Sequence, residues 1–356
     1  MRTPQHDAAP RLAPIARAIL LATVALAGAA CARSRVRLVT PIDTGPAHVP
    51  PLYTEPPAAR REAEGPTAIR MRTVDFHVAP DVVLHVRHLS GEVTPVAAGA
   101  PIVFDDKRSF VIRVATADAG LTAPDLGRLL DGYVFAYDGA PLSNFTVSFD
   151  GPRIRLRGTL HKGPDLPFDI TGALSVTAAG EIRVHPTSIK VAKVAAGPLL
   201  KLTGLKLDRL VSLKGAHGAR LAGNDILLTP DSILPPPHIH GHLTAARVEG
   251  AEVRLTFDDP SLAPIAAAAD SLPEEAANFL YFRRGTVRIG KLYMVHADLE
   301  IIDAAPSDAF DFSLDEYTRQ LAAGYVKVTL ARGLIVHMPD LHTLQPASSN
   351  PATAPR

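Results

Sequence analysis

Alternation of apolar and polar side chains is the feature that most constrains the fold of this chain of 356 residues. Between Arg153 and Leu160, and again between Glu252 and Phe257, nearly every second residue is apolar. A period of two is typical of a β-strand with one buried and one solvated face. Gly, Pro, Asp and Asn separate the runs, which predicts an extensive antiparallel meander. Similar runs occur at Val74–Val78, Val82–Val86, Phe110–Val114, Phe145–Phe149, Ala173–Val176, Ile182–Val184, Ile189–Val194, Val287–Ile289, Leu292–Val295, Leu299–Ile301 and Tyr325–Val336.

Helical spacing is confined to a few segments. The residues from Thr122 to Asp125 resemble a capping box and predict a helix that begins directly after them. The residues from Ser313 to Glu316 repeat this arrangement and predict a second helix, with a C-cap at Gly324.

Two further segments are helix candidates. Pro198 predicts a helix start, with apolar residues continuing through a kink at Gly204 to Val211. Residues 261–282 form a weaker candidate that is interrupted at Pro273. The predicted fold class is therefore α+β and β-dominated, with a large curved antiparallel sheet, or half-barrel, wrapping two or more amphipathic helices.

The amino terminus has the order of a secretory signal. Basic residues precede an uncharged run from Ala18 to Ala30, which ends in small residues ahead of Cys31. The run is too short to cross a bilayer, which takes about 20 apolar residues. We therefore predict that residues 1–30 are a signal peptide and that the mature protein is exported to the periplasm.

Cys31 is the single cysteine, and two cleavage schemes stay open for it. Cleavage after Ala30 makes Cys31 the first residue, where a bacterial lipoprotein carries its lipid anchor, although Gly28 stands where Leu is usual. Cleavage after Ala32, at an A-x-A site, discards the thiol with the leader. The first scheme predicts a tethered lipoprotein with a membrane partner, and the second an untethered periplasmic protein.

The mature chain divides by composition into a folded body with two polar ends. Residues 31–69 are rich in Pro and predict a disordered tether, and residues 345–356 predict a disordered tail. Between them, residues 70–258 are predicted to form the curved sheet with its helices. Residues 259–344 are predicted to add C-terminal strands and helices that complete the same body.

Charge and aromatic content exclude several partners. The chain has 37 Lys and Arg against 36 Asp and Glu, so it lacks the basic excess that nucleic acids select. It has no Trp, 12 Phe and 7 Tyr. This composition disfavours carbohydrate platforms and stacking surfaces for single strands.

Motifs for catalysis and metal binding are weak. His238, His240 and His242 alternate on a predicted strand, but a separation of about 6.6 Å between neighbours suits two ligands of one ion better than three. This favours a solvated polar face, and we predict no metal and no cofactor. The sequence has no nucleophile elbow, zinc-protease, P-loop or dinucleotide motif, which predicts a protein that is not an enzyme.

The order of elements from Leu121 to Phe257 resembles a known family. It runs from the capped helix through the strand pair with Phe145-Thr146-Val147 and Ile154-Arg155-Leu156, then Leu166-Pro167-Phe168, to Asn224-Asp225-Ile226 ahead of three prolines. This order is similar to that of bacterial periplasmic phospholipid-binding proteins related to the tubular lipid-binding (TULIP-like) superfamily. The resemblance implies a curved sheet around long helices with an apolar groove, and binding without catalysis.

The predicted function is the binding or carrying of lipid acyl chains, or another apolar ligand, in a groove. Acyl chains need apolar area and little polar precision. The same residues would serve equally in a packed core, so a scaffolding envelope protein that binds another protein is one alternative. A hydrolase of envelope polymers with paired carboxylates is the other. The predicted groove residues are Leu126, Leu129, Leu130, Leu156, Leu160, Leu199, Leu202, Val253 and Leu255.

Overall fold

The structure is a computed structural model, and it describes residues 65–192, 199–201, 207–262, 276–329 and 333–344. Strands make up 57% of these residues and helices 11%, which confirms a β-dominated fold. None of the sheets in the described ranges closes into a barrel. The predicted leader, Cys31 and both predicted disordered ends, apart from residues 65–69 of the tether, lie outside these residues.

The described strands and helices are numbered in chain order. The strands are β1 (Thr67–Ala79), β2 (Val82–Pro95), β3 (Ile102–Val103), β4 (Phe110–Thr122), β5 (Leu142–Asp150), β6 (Arg153–His161), β7 (Asp165–Val176), β8 (Ile182–Ala192), β9 (Leu199–Lys201), β10 (Ala219–Ala222), β11 (Asp225–Leu228), β12 (His238–Gly241), β13 (Leu243–Glu249), β14 (Glu252–Asp258), β15 (Phe279–Arg283), β16 (Thr286–Ile289), β17 (Leu292–Val295), β18 (Asp298–Asp303), β19 (Phe310–Ser313), β20 (Tyr325–Val328) and β21 (Leu334–Met338). The helices are α1 (Ala123–Leu129), α2 (Leu207–Leu210), α3 (Pro230–Ile233) and α4 (Tyr317–Ala323). A π-helical turn at Leu130–Val134 extends α1, and a 3₁₀ turn spans Leu341–Thr343.

The strands form three sheets. The first has the order β13-β14-β4-β2-β1-β15-β18-β21-β20, with β12 beside β4 and β19 beside β1. The second has the order β10-β11-β8-β7-β6-β5, with β9 beside β8, and the third is β17-β16-β3. Four pairs are parallel, namely β1–β19, β4–β12, β18–β21 and β3–β16. The sheets are therefore mainly antiparallel, as predicted, but they also contain parallel pairs, because alternation within a strand does not report the direction of its neighbour.

Three long central strands change the phase of their buried residues partway along. In β1 the buried positions run through Ile69 and Met71, then resume at Val74, and Thr73 has a positive φ of 50°. The phase changes after Val86 in β2 and at Ala115 in β4. One extra residue at each phase change bends the strand, and the strand's apolar side chains before and after the bend keep facing the core.

The same positions mark an exchange of neighbouring strands. β1 pairs with β15 up to Arg72 and with β19 from Val74 onward. β4 pairs with β12 up to Val114 and with β14 from Thr116 onward. The first sheet therefore bends into two halves that share β1, β2 and β4, and the main core contains residues of both halves.

Glycine at position 91 permits the close approach of β2 and β4 at this bend. A Cβ atom on Gly91 would collide with the backbone carbonyl of Arg113. The register between the two strands also shifts beside Gly91. A side chain here is therefore incompatible with the bend as it stands.

Two predicted helices differ from the structure. Ser313 ends β19 rather than capping a helix, and α4 begins at Tyr317 with no side-chain cap. The predicted helix from Pro198 to Val211 is replaced, in the described residues, by β9 and the single turn α2. The backbone of Ser313 pairs with β1 in parallel, and the backbone of β9 pairs with β8 in antiparallel. Sequence propensity alone does not predict such pairing.

Two more corrections concern the C-terminal third. Phe279–Arg283, the end of the helix candidate 261–282, is strand β15, and residues 263–275 lie outside the described ranges. The run predicted as one strand from Tyr325 to Val336 is two antiparallel strands, β20 and β21. Through β15, β18 and β21 this third of the chain joins the first sheet.

A buried carboxyl group lies in the middle of β18. Glu300 is 4% exposed, and its Oε2 atom has no hydrogen-bond partner. Burial, together with the nearby charge of Asp298, raises the pKa of Glu300 to about 7. Because the folded state favours the protonated form, this group's contribution to stability is full below the ordinary pKa of 4.5 and is lost as the pH rises through about 7.

We expect Glu300→Gln to remove this pH dependence, because the amide imitates the neutral acid. At pH 8 the variant should be more stable than the original chain by on the order of 3 kcal/mol, with little difference at pH 4.5. Urea unfolding at both pH values measures the effect, and Glu92→Gln on a half-buried strand position is the control. Equal stability of the Glu300→Gln variant and the original chain at pH 8 would contradict the assignment.

Candidate apolar ligand site

The site begins with helix α1, which follows β4 without a loop. The side chain of Thr122 accepts a hydrogen bond from the backbone N–H of Asp125 at 3.3 Å, and Pro124 occupies the first turn. This confirms the helix start and the N-cap predicted at Thr122, while the Asp125 carboxylate accepts the backbone N–H of Val83 at 3.3 Å. Because the cap is the last residue of β4, the strand fixes where the helix starts and in which direction it leaves the first sheet.

Helix α1 packs closely on β5, the edge strand of the second sheet. A Cβ atom on Gly127 would lie 3.2 Å from the carbonyl oxygen of Phe145, so the helix and strand backbones are nearly in contact. The Oδ2 atom of Asp131 accepts the N–H of Phe145 at 2.8 Å. Burial raises the pKa of Asp131 despite this hydrogen bond. Both contacts hold the helix over the apolar face of the second sheet.

This apolar face forms a second hydrophobic cluster, distinct from the main core. Four strands, β5 to β8, supply its buried residues, together with Leu207 of α2. Leu126 and Leu130 of the α1 region pack against both the second cluster and the main core. The buried members of the second cluster are Val147, Ile154, Leu156, Leu160, Phe168, Ile170, Val184, Ile189 and Leu207.

Two clefts open on the second cluster at opposite edges of the second sheet. The cleft that we name the β5 cleft has a volume of about 550 Å³ and lies between α1 and β5, with Phe145 and Val147 in its wall. The β10 cleft has a volume of about 310 Å³, with Val211 and Leu221 in its wall. Val147 belongs to the second cluster, and the other three residues pack against both that cluster and the main core. Leu213 of the β10 cleft belongs to the main core.

Charged side chains lie around both clefts. At the β5 cleft, Arg128 donates to the carboxylate of Asp125 and to the carbonyl of Asp81, each at 3.2 Å. At the β10 cleft, Arg220 is bound to both carboxylate oxygens of Glu181. Lys214 also lines the β10 cleft. Asp81 and Asp131 also line the β5 cleft, and Asp208 lines the β10 cleft. Each cleft therefore combines an apolar wall with charged groups of both signs, a pattern that suits an amphipathic ligand.

The structure divides the predicted groove residues between two clusters. Leu156 and Leu160 belong to the second cluster, while Leu129, Val253 and Leu255 belong to the main core. Leu126 and Leu130 contact both clusters. Leu199 lies in β9, opposite Ala192 of β8, and Leu202 lies outside the described residues. The sequence analysis missed Phe145, Val147, Val211 and Leu221 because alternation does not show which strand lies at an edge.

The histidines at 238, 240 and 242 lie in and just after β12. His240 is exposed, with its Nδ1 atom 3.9 Å from the carboxylate of Asp231. Among the described residues no three His, Cys, Asp or Glu side chains converge in a manner suited to a metal ion. The structure thus offers no argument for a metal at this strand.

A cleft lined by several acids gives no support to carboxylate-based hydrolysis. Asp105 accepts a hydrogen bond from the hydroxyl of Tyr317 at 2.7 Å and one from the N–H of Gly290 at 3.1 Å. Asp315, in the same cleft, is bound to Lys107 at 2.7 Å. Both carboxylates are engaged in hydrogen bonds or an ion pair with neighbouring groups. A glycosidase pair needs one free nucleophile or base and one protonated acid.

A histidine–aspartate cluster was not expected from the sequence. The Nε2 atom of His77 lies 2.5 Å from Oδ1 of Asp311, and the Nδ1 atom of His342 lies 2.9 Å from Oδ2. Burial works against the charge on His77, but the hydrogen bond and charge of Asp311 outweigh it and raise the pKa of His77. The hydrogen bond to Asp311 likewise raises the pKa of His342. Burial opposes ionisation of Asp311 as well, yet its bonds to the two histidines lower its pKa.

We expect this cluster to stabilise the fold most between about pH 4 and pH 6.5. The contribution of Asp311 is full above its ordinary pKa of 3.8 and is lost as the pH falls through its lowered value. The contributions of His77 and His342 to stability are full below pH 6.5 and are lost as the pH rises through the raised pKa of each histidine. Asp311→Asn should cost about 2 kcal/mol at pH 5.5 and less at pH 9, measured by urea unfolding.

The exposed acid Asp138, outside this cluster, provides the control, and Asp138→Asn should change stability little at either pH. A loss on Asp311→Asn that is the same at pH 5.5 and at pH 9 would show that the histidines are not charged partners of Asp311.

Comparison with known proteins leaves the site to be interpreted from its own residues. No family model, curated protein or solved structure matches this chain. Among the described residues, no helix has the length and apolar content needed to cross a bilayer. The resemblance to periplasmic phospholipid-binding proteins therefore stays a prediction.

Proposed function

We propose that the protein binds the acyl chain of a lipid between the second sheet and α1, outside the inner membrane and without catalysis. The observation that carries this proposal is that two clefts, at opposite edges of one sheet, open on the same apolar cluster. In this proposal the second sheet and its helix, rather than the whole chain, provide the curved sheet and apolar groove expected from the sequence.

The dimensions of the second sheet support the proposal. Its six strands from β10 to β5 are about 24 Å wide at a spacing of about 4.8 Å. Helix α1 has seven residues and is about 10 Å in both length and diameter. Such a helix covers less than half of the sheet, and α2 and the main core also pack against it. At the edges, Phe145, Val211 and Leu221 are only half-buried, so apolar surface near β5 and β10 is partly open to a ligand.

The chemistry of the clefts favours an amphipathic ligand over a wholly apolar one. The wall residues provide burial for methylene groups, each of which contributes about 0.8 kcal/mol. Arg128 with Asp131 at the β5 cleft, and Lys214 with Asp208 at the β10 cleft, provide charges of both signs where a polar or zwitterionic head group would remain in water. Export, and tethering through Cys31 if that residue is acylated, would place the site near a membrane that supplies such lipids.

The first test is the recovery of lipid from the purified full-length chain. Solvent extraction followed by mass spectrometry should find acyl lipid in an amount close to one molecule per protein molecule. Folding is checked on the same sample by circular dichroism. Folded protein that yields no lipid and does not bind a fluorescent sixteen-carbon fatty acid would refute the proposal.

Substitution of Val147 tests the site itself, because this buried residue lines the β5 cleft. Val147→Trp should fill the cleft and weaken binding of the fluorescent fatty acid at least tenfold, or about 1.4 kcal/mol. Val147→Ala should leave binding within about threefold, since it enlarges the cleft. The measurement is a fluorescence titration of each folded variant.

The matched control for Val147→Trp is Ser148→Trp, which adds the same ring to the next residue of β5, where the side chain is exposed. Equal affinity of Val147→Trp and Ser148→Trp would place the ligand elsewhere. Binding retained by Val147→Ala and lost by Val147→Trp supports the β5 cleft even if the larger side chain lowers stability.

A further inference from the structure

Strand β17 is an edge strand with apolar side chains exposed on both of its faces. It ends the third sheet, beyond β16. Leu292 is 45% exposed, Tyr293 57% and Val295 42%. The strand contains no charged residue, no proline and no bulge, which are the usual means of protecting a sheet edge.

The backbone of β17 offers free hydrogen-bonding groups at this edge. A two-residue turn joins Ile289 to Leu292, so these residues and the pair Val287 and Met294 bond each other across the hairpin. The carbonyl of Arg288 instead faces β3, where it accepts the N–H of Phe104 at 3.0 Å. Tyr293, opposite Arg288, therefore directs its N–H and C=O away from β16, and Val295 does the same.

We propose that two copies of this chain associate through antiparallel pairing of their β17 strands. The two-fold axis passes beside Met294, so that Tyr293 of each copy lies opposite Val295 of the other. These are the residues with outward backbone groups, and each pair exchanges two N–H···O=C bonds. The result is one six-stranded sheet, in the isologous arrangement that a closed dimer requires.

The side chains of β17 are complementary to themselves in this register. An aromatic residue opposite a β-branched residue is a favourable cross-strand pair, and the two-fold axis produces this pair twice. Lys291 precedes the strand and lies beyond its paired residues, so the lysines of the two copies do not face each other. No charge is buried or opposed by a like charge along the shared edge.

Charge explains why β20, another edge strand with exposed apolar side chains, is not the proposed interface. The bond from Thr329 N–H to the carbonyl of Gly333 sets the alternation of β20, so Val326 and Val328 have the outward backbone groups. Pairing of two β20 strands through these residues would place Lys327 directly opposite Lys327 of the second copy. Like charges directly opposite each other destabilise a sheet.

Cysteine cross-linking tests both the dimer and its register. In a Cys31→Ser background, which removes the single native cysteine, Met294→Cys should form a disulfide-linked dimer under mild oxidation. Directly opposed residues that do not bond each other have Cα atoms about 4.5 Å apart, within the range of a disulfide. Tyr293→Cys should yield at least tenfold less dimer, because its copies lie about 8 Å apart.

A mixture of Tyr293→Cys and Val295→Cys chains should cross-link to each other, since these residues are opposite across the axis. Lys327→Cys on β20 is the control and should form no disulfide-linked dimer, although its β17 strands still pair. Cross-linking of Lys327→Cys equal to that of Met294→Cys would show only random collision and would overturn the proposal.

Sedimentation of the full-length chain without added cysteines provides an independent measurement. The original chain should show a monomer–dimer equilibrium, and Tyr293→Pro should weaken it at least tenfold by removing an outward donor. Val326→Pro removes the corresponding outward donor of β20 and should leave the equilibrium unchanged. A chain that stays monomeric at all concentrations, or a dimer insensitive to Tyr293→Pro, would refute the pairing and leave this edge to a different partner.

Discussion

The bend of the first sheet is the constraint on which the rest of the structure depends. A flat strand of 13 or 14 residues is about 45 Å long, too long for both of its ends to pack on one compact core. The extra residues near Thr73, Arg87 and Ala115 turn β1, β2 and β4 so that apolar side chains before and after the bend face the same interior. Gly91 removes the side chain that would otherwise collide with β4 at this point.

The bend also explains the order of the neighbouring strands. Both β1 and β4 keep β2 as a neighbour across the bend. On its other side each strand exchanges one neighbour for another at the bend, and one of the two is parallel. These added strands, β12 and β19, come from distant parts of the chain. Contacts of long sequence separation therefore hold the two halves together, and the buried row from Phe310 to Phe312 lies beside Val74 and Phe76.

The sequence predicts what is local in this fold and misses what depends on distant neighbours. Alternation located most of the strands, and the Thr122 cap located the start of α1, because both signals lie within a few consecutive residues. Ser313 carried the same local signal as Thr122, yet it lies in a strand because β1 is beside it. The bond between His77 and Asp311 joins residues 234 positions apart, a separation at which no spacing rule applies.

Prediction of the candidate site from the sequence is also limited, and the reason is geometric. A leucine that faces a packed core and one that faces a ligand have the same alternation, so the sequence grouped Leu156 with Val253 although they lie in different clusters. The two kinds of position differ because the second sheet is large relative to its short helix. Leu126 and Leu130 contact both clusters, and their helix is capped by β4 of the bent sheet. In the proposed complex, α1 is therefore a fixed boundary for an acyl chain that enters the second cluster. The space that the chain requires has to come from the edges of the sheet near β5 and β10.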